Sequence, residues 1–190
     1  MSPETTFRKQ ASAYVHAAGG VVATESGIVD ADEFEAAPMG VDAEAGPLRA
    51  LVAKAAPSVS RMASRFGQLA VLGAADCLRR LRGNVDPATR IYLATGLGDV
   101  AHTDALYFGV MPPRSEMPPP ARFATSGNNM AAFFVAQHAG ITARNLTVSQ
   151  DELSLECALG FALSDLASGA ADAAFVGGVD ESTRDRKSVV

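Results

Sequence analysis

Short apolar runs alternate with longer amphipathic stretches over most of the chain. Runs bounded by Gly or Pro predict strands, and apolar residues that recur three or four positions apart predict helices. This pattern predicts, in order, a strand over 12–23, a helix over 60–81, a strand over 90–95, a helix after the glycine turn at 96–98, a helix over 127–139, a strand over 144–149, a helix over 150–168 and a strand over 173–179. We expect 24–59 to be loop with one short helix, and the proline-rich segment 112–120 to be irregular. The alternation is typical of an α/β layered domain.

Length and composition favour one folded domain. The chain has 190 residues, of which 48% are hydrophobic and 19% are charged, and this balance excludes a disordered protein. Trp is absent and aromatic residues make up only 6%, so the core must be built from small aliphatic side chains. We expect residues 1–190 to form a single domain, with flexible ends at 1–10 and 183–190.

Charge and hydropathy exclude several classes of partner. The net charge is −5, which disfavours general binding to nucleic acid or to an anionic membrane surface. No apolar run approaches the ~18 residues of a membrane span, and the polar N-terminus lacks the apolar region of a signal peptide. We therefore expect a cytoplasmic protein that binds neither nucleic acid nor membranes.

Cofactor and metal sites are not expected. Cys77 and Cys157 lie in apolar helical runs, and the three histidines are scattered without metal-ligand spacing. The segment from Gly96 to Ala101 matches G-x-G-x-x-A, which in dinucleotide sites brings backbone N–H groups to a pyrophosphate. Asp99 would place a carboxylate beside those phosphates, so we favour a tight turn without a ligand over a nucleotide site.

The most informative segment is residues 144–182, RNLTVSQDELSLECALGFALSDLASGAADAAFVGGVDES. It resembles the active-site region of the β-ketoacyl synthases, members of the thiolase superfamily. Four positions match the spacing of that family counted from its nucleophilic cysteine, and all four count back to Glu152: they are Gly160, Gly169, Asp172 and Gly177. The resemblance extends upstream through RMASRFGQLAVLGAADCLRRL, ATGLG and ARFATSGNNMAAFFVAQHAGITARNLTVS, and it covers about residues 60–182.

The resemblance implies the N-terminal half of a thiolase-like domain. The expected fold is α/β, a mixed and mostly parallel five-stranded sheet with helices on both faces. It also implies structural turns at the glycines, namely Gly96, Gly98, Gly160, Gly169, Gly177 and Gly178. Two departures bear on activity. Glu152 replaces the cysteine, so no thioester can form there, and the family's catalytic histidines belong to a second half that this sequence does not contain.

Two interpretations of Glu152 remain open. Ser149 and Glu152 have the spacing of a capping box, in which Ser149 is the N-cap and Glu152 reaches back from the third helical position. Alternatively, a carboxylate in an acyl pocket acts as a general base or excludes substrate. We favour the cap, because no partner residue for catalysis can be identified.

We expect a non-catalytic, ketosynthase-like partner or scaffold subunit in fatty-acid or polyketide biosynthesis. The alternatives are an acyl-thioester hydrolase or malonyl decarboxylase that uses Glu152, and an inactive truncated synthase. The helix after Glu152 is apolar nearly all round and must be covered on all sides, so we expect an interface at Leu155, Leu159 and Phe161. The partner is a second copy or an intact synthase-like chain, with an acyl carrier protein as a further candidate.

Overall fold

The computed structural model describes residues 13, 15, 18, 21–24, 27–30, 45–59, 61–114 and 117–181. The described residues form strands β1 (Val21–Thr24), β2 (Gly27–Asp30), β3 (Arg90–Thr95), β4 (Asn145–Ser149) and β5 (Ala174–Gly178). The helices are α1 (Ala45–Ala55), α2 (Arg65–Arg80), α3 (Val100–Val110), α4 (Pro120–Ala124), α5 (Met130–Ala139) and α6 (Ser154–Ala167), and a short 3₁₀ turn, Asp151–Leu153, precedes α6.

The described strands divide into two sheets. Strand β3 lies between β4 and β5 and is parallel to both, with Tyr92 paired to Leu146 on one side and to Val176 on the other. Strands β1 and β2 form a separate antiparallel pair. The single five-stranded sheet expected from the resemblance is therefore not shown, because the two short N-terminal strands pair with each other instead of extending the parallel sheet.

Helices cover both faces of the parallel sheet, as expected. Successive side chains of a strand point to opposite faces, so Ile91 and Leu93 pack into a core with residues of α1, α2 and α5. Tyr92 and Ala94 point the other way and pack against α6. Strand β3 is consequently buried on both faces, which explains the nearly continuous apolar sequence RIYLAT.

Several elements differ from the sequence prediction. Helix α2 begins at Arg65 and is capped by Ser64, whose hydroxyl oxygen accepts from the Gly67 N–H at 3.2 Å. The predicted cap, Ser60, and most of the predicted strand 12–23 lie outside the described residues. Two elements were missed: strand β2 in the predicted loop, and the five-residue helix α4, which starts at the last proline of the 112–120 segment.

Asp165 ties α6 to the amino-terminal ends of the central strands. Its Oδ2 atom accepts hydrogen bonds from Arg90 at 2.5 Å, from the Tyr92 hydroxyl at 2.5 Å and from Arg144 at 2.6 Å. The Tyr92 hydrogen bond, followed by that from Arg90, holds the pKa of the Asp165 carboxyl below its usual value. This cluster fixes the position of α6 relative to the sheet, and thereby the position of its first turn at the carboxyl ends of the strands.

Candidate functional site

The glycine turn after β3 is closed by a carboxylate from the segment after β5. Asp180 accepts hydrogen bonds from the Gly96 N–H at 2.9 and 3.0 Å, from the Thr95 hydroxyl at 3.0 Å and from the Leu97 N–H at 3.4 Å. These backbone donors are the ones that a dinucleotide site would offer to a phosphate. Because Asp180 already engages them, the G-x-G-x-x-A segment fits a structural turn better than a nucleotide site.

The second glycine of this turn is required by its backbone conformation and by a close neighbour. Gly98 has φ +74, and a Cβ built there would stand 2.4 Å from Oδ1 of Asn128. Its N–H donates to the Thr95 hydroxyl oxygen at 2.8 Å. The next residue, Asp99, begins α3 as its N-cap and accepts from the His102 N–H at 3.3 Å.

The capping box predicted for the turn between β4 and α6 is not formed. The Ser149 hydroxyl donates to the carbonyl oxygen of Gly96 at 3.2 Å, which binds the end of β4 to the glycine turn. The 3₁₀ turn intervenes, and α6 starts two residues after Glu152, at Ser154. The buried Ser154 hydroxyl closes the turn: it accepts from the Gln150 N–H at 2.8 Å and lies 2.8 Å from the Thr95 carbonyl oxygen.

Glu152 itself is exposed at the start of this turn. Its side chain makes no hydrogen bond or ion pair with the described residues. The preceding residue, Asp151, has φ +48, a left-handed conformation that non-glycine residues adopt infrequently and that Asp tolerates better than most. The turn thus presents the Glu152 carboxylate to solvent.

Helix α6 turns its small residues toward the sheet and its large apolar residues away from it. Ser154, Ala158 and Ala162 are spaced four apart and are buried. The predicted interface residues are on the surface, with Leu155 51%, Leu159 46% and Phe161 51% exposed, and Leu163 beside them is 44% exposed. The predicted apolar coverage of all sides of α6 is therefore not supplied by the described residues.

The predicted turn glycines divide into two groups. Gly169, with φ +71, follows the end of α6, and Gly96 and Gly98 form the turn after β3. Gly160 lies inside α6, and Gly177 and Gly178 are the last two residues of β5, so these three are not turn residues. A single helical glycine costs about 1 kcal/mol relative to Ala, which a helix of this length tolerates.

A second group of ionisable side chains lines a cleft at the start of α3. A cleft of about 580 Å³ opens between the segment before α2, the start of α3, and α4. Glu181 lines it, with a side chain only 3% exposed, and Arg65 Nε lies 3.5 Å from its Oε2. Oε1 of Glu181 is buried and has no hydrogen-bond partner among the described residues. Burial, together with the nearby Asp99 carboxylate, raises the pKa of Glu181 to about 6.

The sequence reasoning missed this cleft and the roles of Asp180 and Glu181. The signal present in the sequence is an acidic pair directly after the apolar strand ending in Gly177-Gly178. The carboxyl ends of parallel strands meet at one edge of a sheet, so such residues are placed beside the turn that follows β3. The remaining lining residues come from distant segments and carry no common pattern.

The histidines and cysteines that the structure describes lie on four different helices. His102 ties α3 to α4 through a 2.9 Å contact between its Nε2 and the Arg122 carbonyl oxygen, and half-buried His138 has its pKa lowered by burial. Cys77 and Cys157 are also half-buried, and burial raises the pKa of the Cys77 thiol. Among the described residues, no three His, Cys, Asp or Glu side chains are grouped so as to hold a metal ion.

A match to a known protein family shows which family the chain belongs to. The family model for the β-ketoacyl synthase N-terminal domain matches residues 32–190. The chain belongs to the β-ketoacyl synthase family. The predicted recognition of the N-terminal half is thus confirmed, whereas the equivalence of Glu152 to the family's nucleophile stays a prediction. No curated protein matches this ketosynthase-family chain.

Two solved structures illustrate the likeness. A β-ketoacyl synthase from Burkholderia phymatum STM815 shares 17% identity and a TM-score of 0.60 over 90% of this chain and 42% of that one. A ketosynthase (ApeO) in complex with its chain length factor (ApeC) from Xenorhabdus doucetiae shares 18% identity and a TM-score of 0.49 over 67% of this chain and 58% of that one. The ketosynthase-family chain thus spans about half the length of these structures, and the first likeness shows a thiolase-like α/β fold.

The absence of a membrane span was a separate expectation from the sequence. Within the described part of the chain, no helix combines the length and the apolar character that a membrane crossing requires.

Proposed function

We propose that this chain is a non-catalytic, ketosynthase-like subunit that docks on a second thiolase-like half through the outward face of α6. The observation that carries the proposal is the orientation of that helix. Its alanines pack on the sheet, and its leucines and Phe161 project outward. A helix that turns its large apolar side chains away from its own core has a face suited to burial against a second apolar surface.

The energy available at this face is sufficient for stable association. Burial of about 500 Å² of apolar surface, the area of a large surface patch, contributes ~12 kcal/mol at ~25 cal/mol per Å². Association itself costs several kcal/mol or more in lost translational and rotational freedom. The free energy that remains after this cost is enough for a stable complex with α6 at the centre of the interface. The occupant is a second thiolase-like half, either in an intact synthase-like chain or in a second copy of this one.

The surroundings of Glu152 support a non-catalytic role over the hydrolase and decarboxylase alternatives. A general base must be oriented and must have a pKa matched to its task, which usually requires burial or a neighbouring charged group. Glu152 is exposed and has no hydrogen-bonding or ionic partner among the described residues. We infer that its carboxylate excludes acyl transfer at this position and performs no chemistry of its own.

The test uses the full chain together with an intact ketosynthase. Leu159→Asp places a charge in the centre of the proposed interface, and the matched control is Leu51→Asp, which charges a similarly exposed leucine on α1. We expect the wild type and Leu51→Asp to co-migrate with a partner chain or to self-associate on gel filtration, and Leu159→Asp to fail. Equal behaviour of both variants would contradict the role of α6.

A second assay separates the subunit from the enzyme alternatives. The purified complex and the purified chain are incubated with acyl and malonyl thioesters, and free thiol and CO₂ are measured. We expect Glu152→Gln to leave both rates unchanged from the wild type. A rate above background that Glu152→Gln abolishes would favour the hydrolase or the decarboxylase.

A further inference from the structure

The cleft around Glu181 has the features of a ligand site that is separate from the α6 face. Its volume of about 580 Å³ lies in the range of small-molecule sites. The ionisable side chains that line it are Arg61, Arg65, Arg122, His102, Asp99 and Glu181. Acidic residues outnumber basic ones in the whole chain, 21 to 16, so a cleft with more arginines than carboxylates departs from the average surface.

Two of these arginines are not engaged by carboxylates of the described residues. Arg61 and Arg122 are exposed and line the cleft from two segments, one before α2 and the other in α4, and neither makes an ion pair with a described residue. Arg65 is half-buried and contacts Glu181. Guanidinium groups that line one cleft are suited to bind a planar oxyanion through paired hydrogen bonds.

The buried carboxyl group supplies the second observation. Glu181 has one oxygen near Arg65, and its other oxygen is buried with no partner within the described part of the chain. A buried, half-satisfied carboxyl is costly unless a further group or a proton joins it. The unpartnered atom therefore indicates that the described residues do not complete the site.

We propose that this cleft binds a small aliphatic carboxylate between Arg61 and Arg122, next to the Arg65–Glu181 pair. The apolar part of such a ligand can pack against apolar side chains, since Met62 and five alanines line the same cleft. A dianionic phosphate fits less well, because the Asp99 carboxylate lines the same cleft and repels a second negative charge. The site is independent of the subunit role proposed above and uses none of the α6 surface.

Ligand binding is coupled to uptake of one proton from solvent by Glu181. The neutral form of Glu181 repels no anion. The charged groups that face Glu181 are Arg65 on α2, Asp99 and His102 at the start of α3, and the neighbouring Asp180. With a pKa of about 6 for Glu181, affinity falls on the order of tenfold between about pH 5.5 and about pH 7.5.

Calorimetric titration of the full chain with butyrate tests the site, with inorganic phosphate and butylammonium as comparison ligands. We expect butyrate to bind with a dissociation constant in the millimolar range or tighter, and Arg61→Gln and Arg122→Gln each to weaken it about tenfold. The control is Arg82→Gln, an exposed arginine beyond the far end of α2 that lies outside the cleft. Circular dichroism verifies that each variant is folded, and the two arginine variants are independent tests.

Two further variants test the coupling between butyrate binding and protonation of Glu181. Glu181→Gln should bind butyrate at about pH 7.5 as tightly as the wild type does at about pH 5.5, and should lose the pH dependence. His102→Gln should keep it. The proposal is overturned if butyrate does not bind, if phosphate or butylammonium binds better, if Arg82→Gln weakens binding as much as the cleft variants, or if His102 alone accounts for the pH dependence.

Discussion

Replacing the buried carboxyl Glu181 by its neutral isostere should stabilise the protein at neutral pH. The Glu181 side chain is 3% exposed, and burial and the nearby Asp99 raise its pKa to about 6, against an ordinary value of 4.5. The folded state therefore retains this proton to a higher pH than the unfolded state does. The favourable contribution of Glu181 is fully present below about pH 4.5 and is lost as pH rises through about 6.

The magnitude follows from the pKa difference. A shift of one unit corresponds to ~1.4 kcal/mol, so a shift of about 1.5 units corresponds to about 2 kcal/mol. Gln has no titrating group and cannot lose this contribution. The free energy of unfolding of Glu181→Gln minus that of the wild type should therefore increase by about 2 kcal/mol between about pH 4.5 and about pH 7.5.

Urea denaturation at several pH values measures this difference directly. Glu156→Gln removes the same charge from an exposed position in the first turn of α6, and it corrects for the change in net charge. A difference between Glu181→Gln and the wild type that does not change with pH, or that decreases towards alkaline pH, would refute the assigned environment of Glu181.

Three further predictions concern the edge of the sheet. Asp180→Ala removes the acceptor for the Thr95 hydroxyl and the adjacent N–H groups, and should lower the free energy of unfolding by about 1–3 kcal/mol in urea denaturation. Gly98→Ala forces a Cβ into a residue at φ +74 and against Asn128, and should lower the melting temperature with a loss of about 1–2 kcal/mol. Intact-mass analysis after incubation with acyl thioesters should find no adduct on Glu152, because a carboxylate is a poor acceptor from a thioester; a stable adduct mapped to that turn would contradict the non-catalytic role.

The central elements could be predicted from sequence because their signals are local. Strand β3 is a continuous apolar run between a proline and a glycine, and the apolar patterns of α6 and β5 are separated by Gly169. The family resemblance then placed these elements in a thiolase-like fold. The number of strands in one sheet was not predictable in this way, because pairing of β1 with β2 is decided by contacts between segments.

The local geometry of the candidate site could be predicted only in part. Ser149 and Glu152 have the spacing of a capping box, but the Ser149 hydroxyl is engaged by the carbonyl of Gly96, 53 residues earlier in the chain. Ser154 closes the turn instead, and this delays the start of α6. The cleft at Glu181 depends on segments around residues 61–65, 99–105 and 121–125, which only the folded chain brings together.

Sedimentation velocity of the purified full chain, measured over a range of micromolar concentrations, tests the central claim about α6 most directly. We expect association, as a dimer when the chain is alone or as a complex when an intact ketosynthase is added, and we expect Leu155→Asp to disrupt it. In the associated state the α6 amides should exchange with solvent more slowly than in the Leu155→Asp variant. Docking through α6 would be contradicted by a wild-type chain that stays monomeric and does not bind the added ketosynthase, and whose α6 amides exchange at the same rate as those of Leu155→Asp.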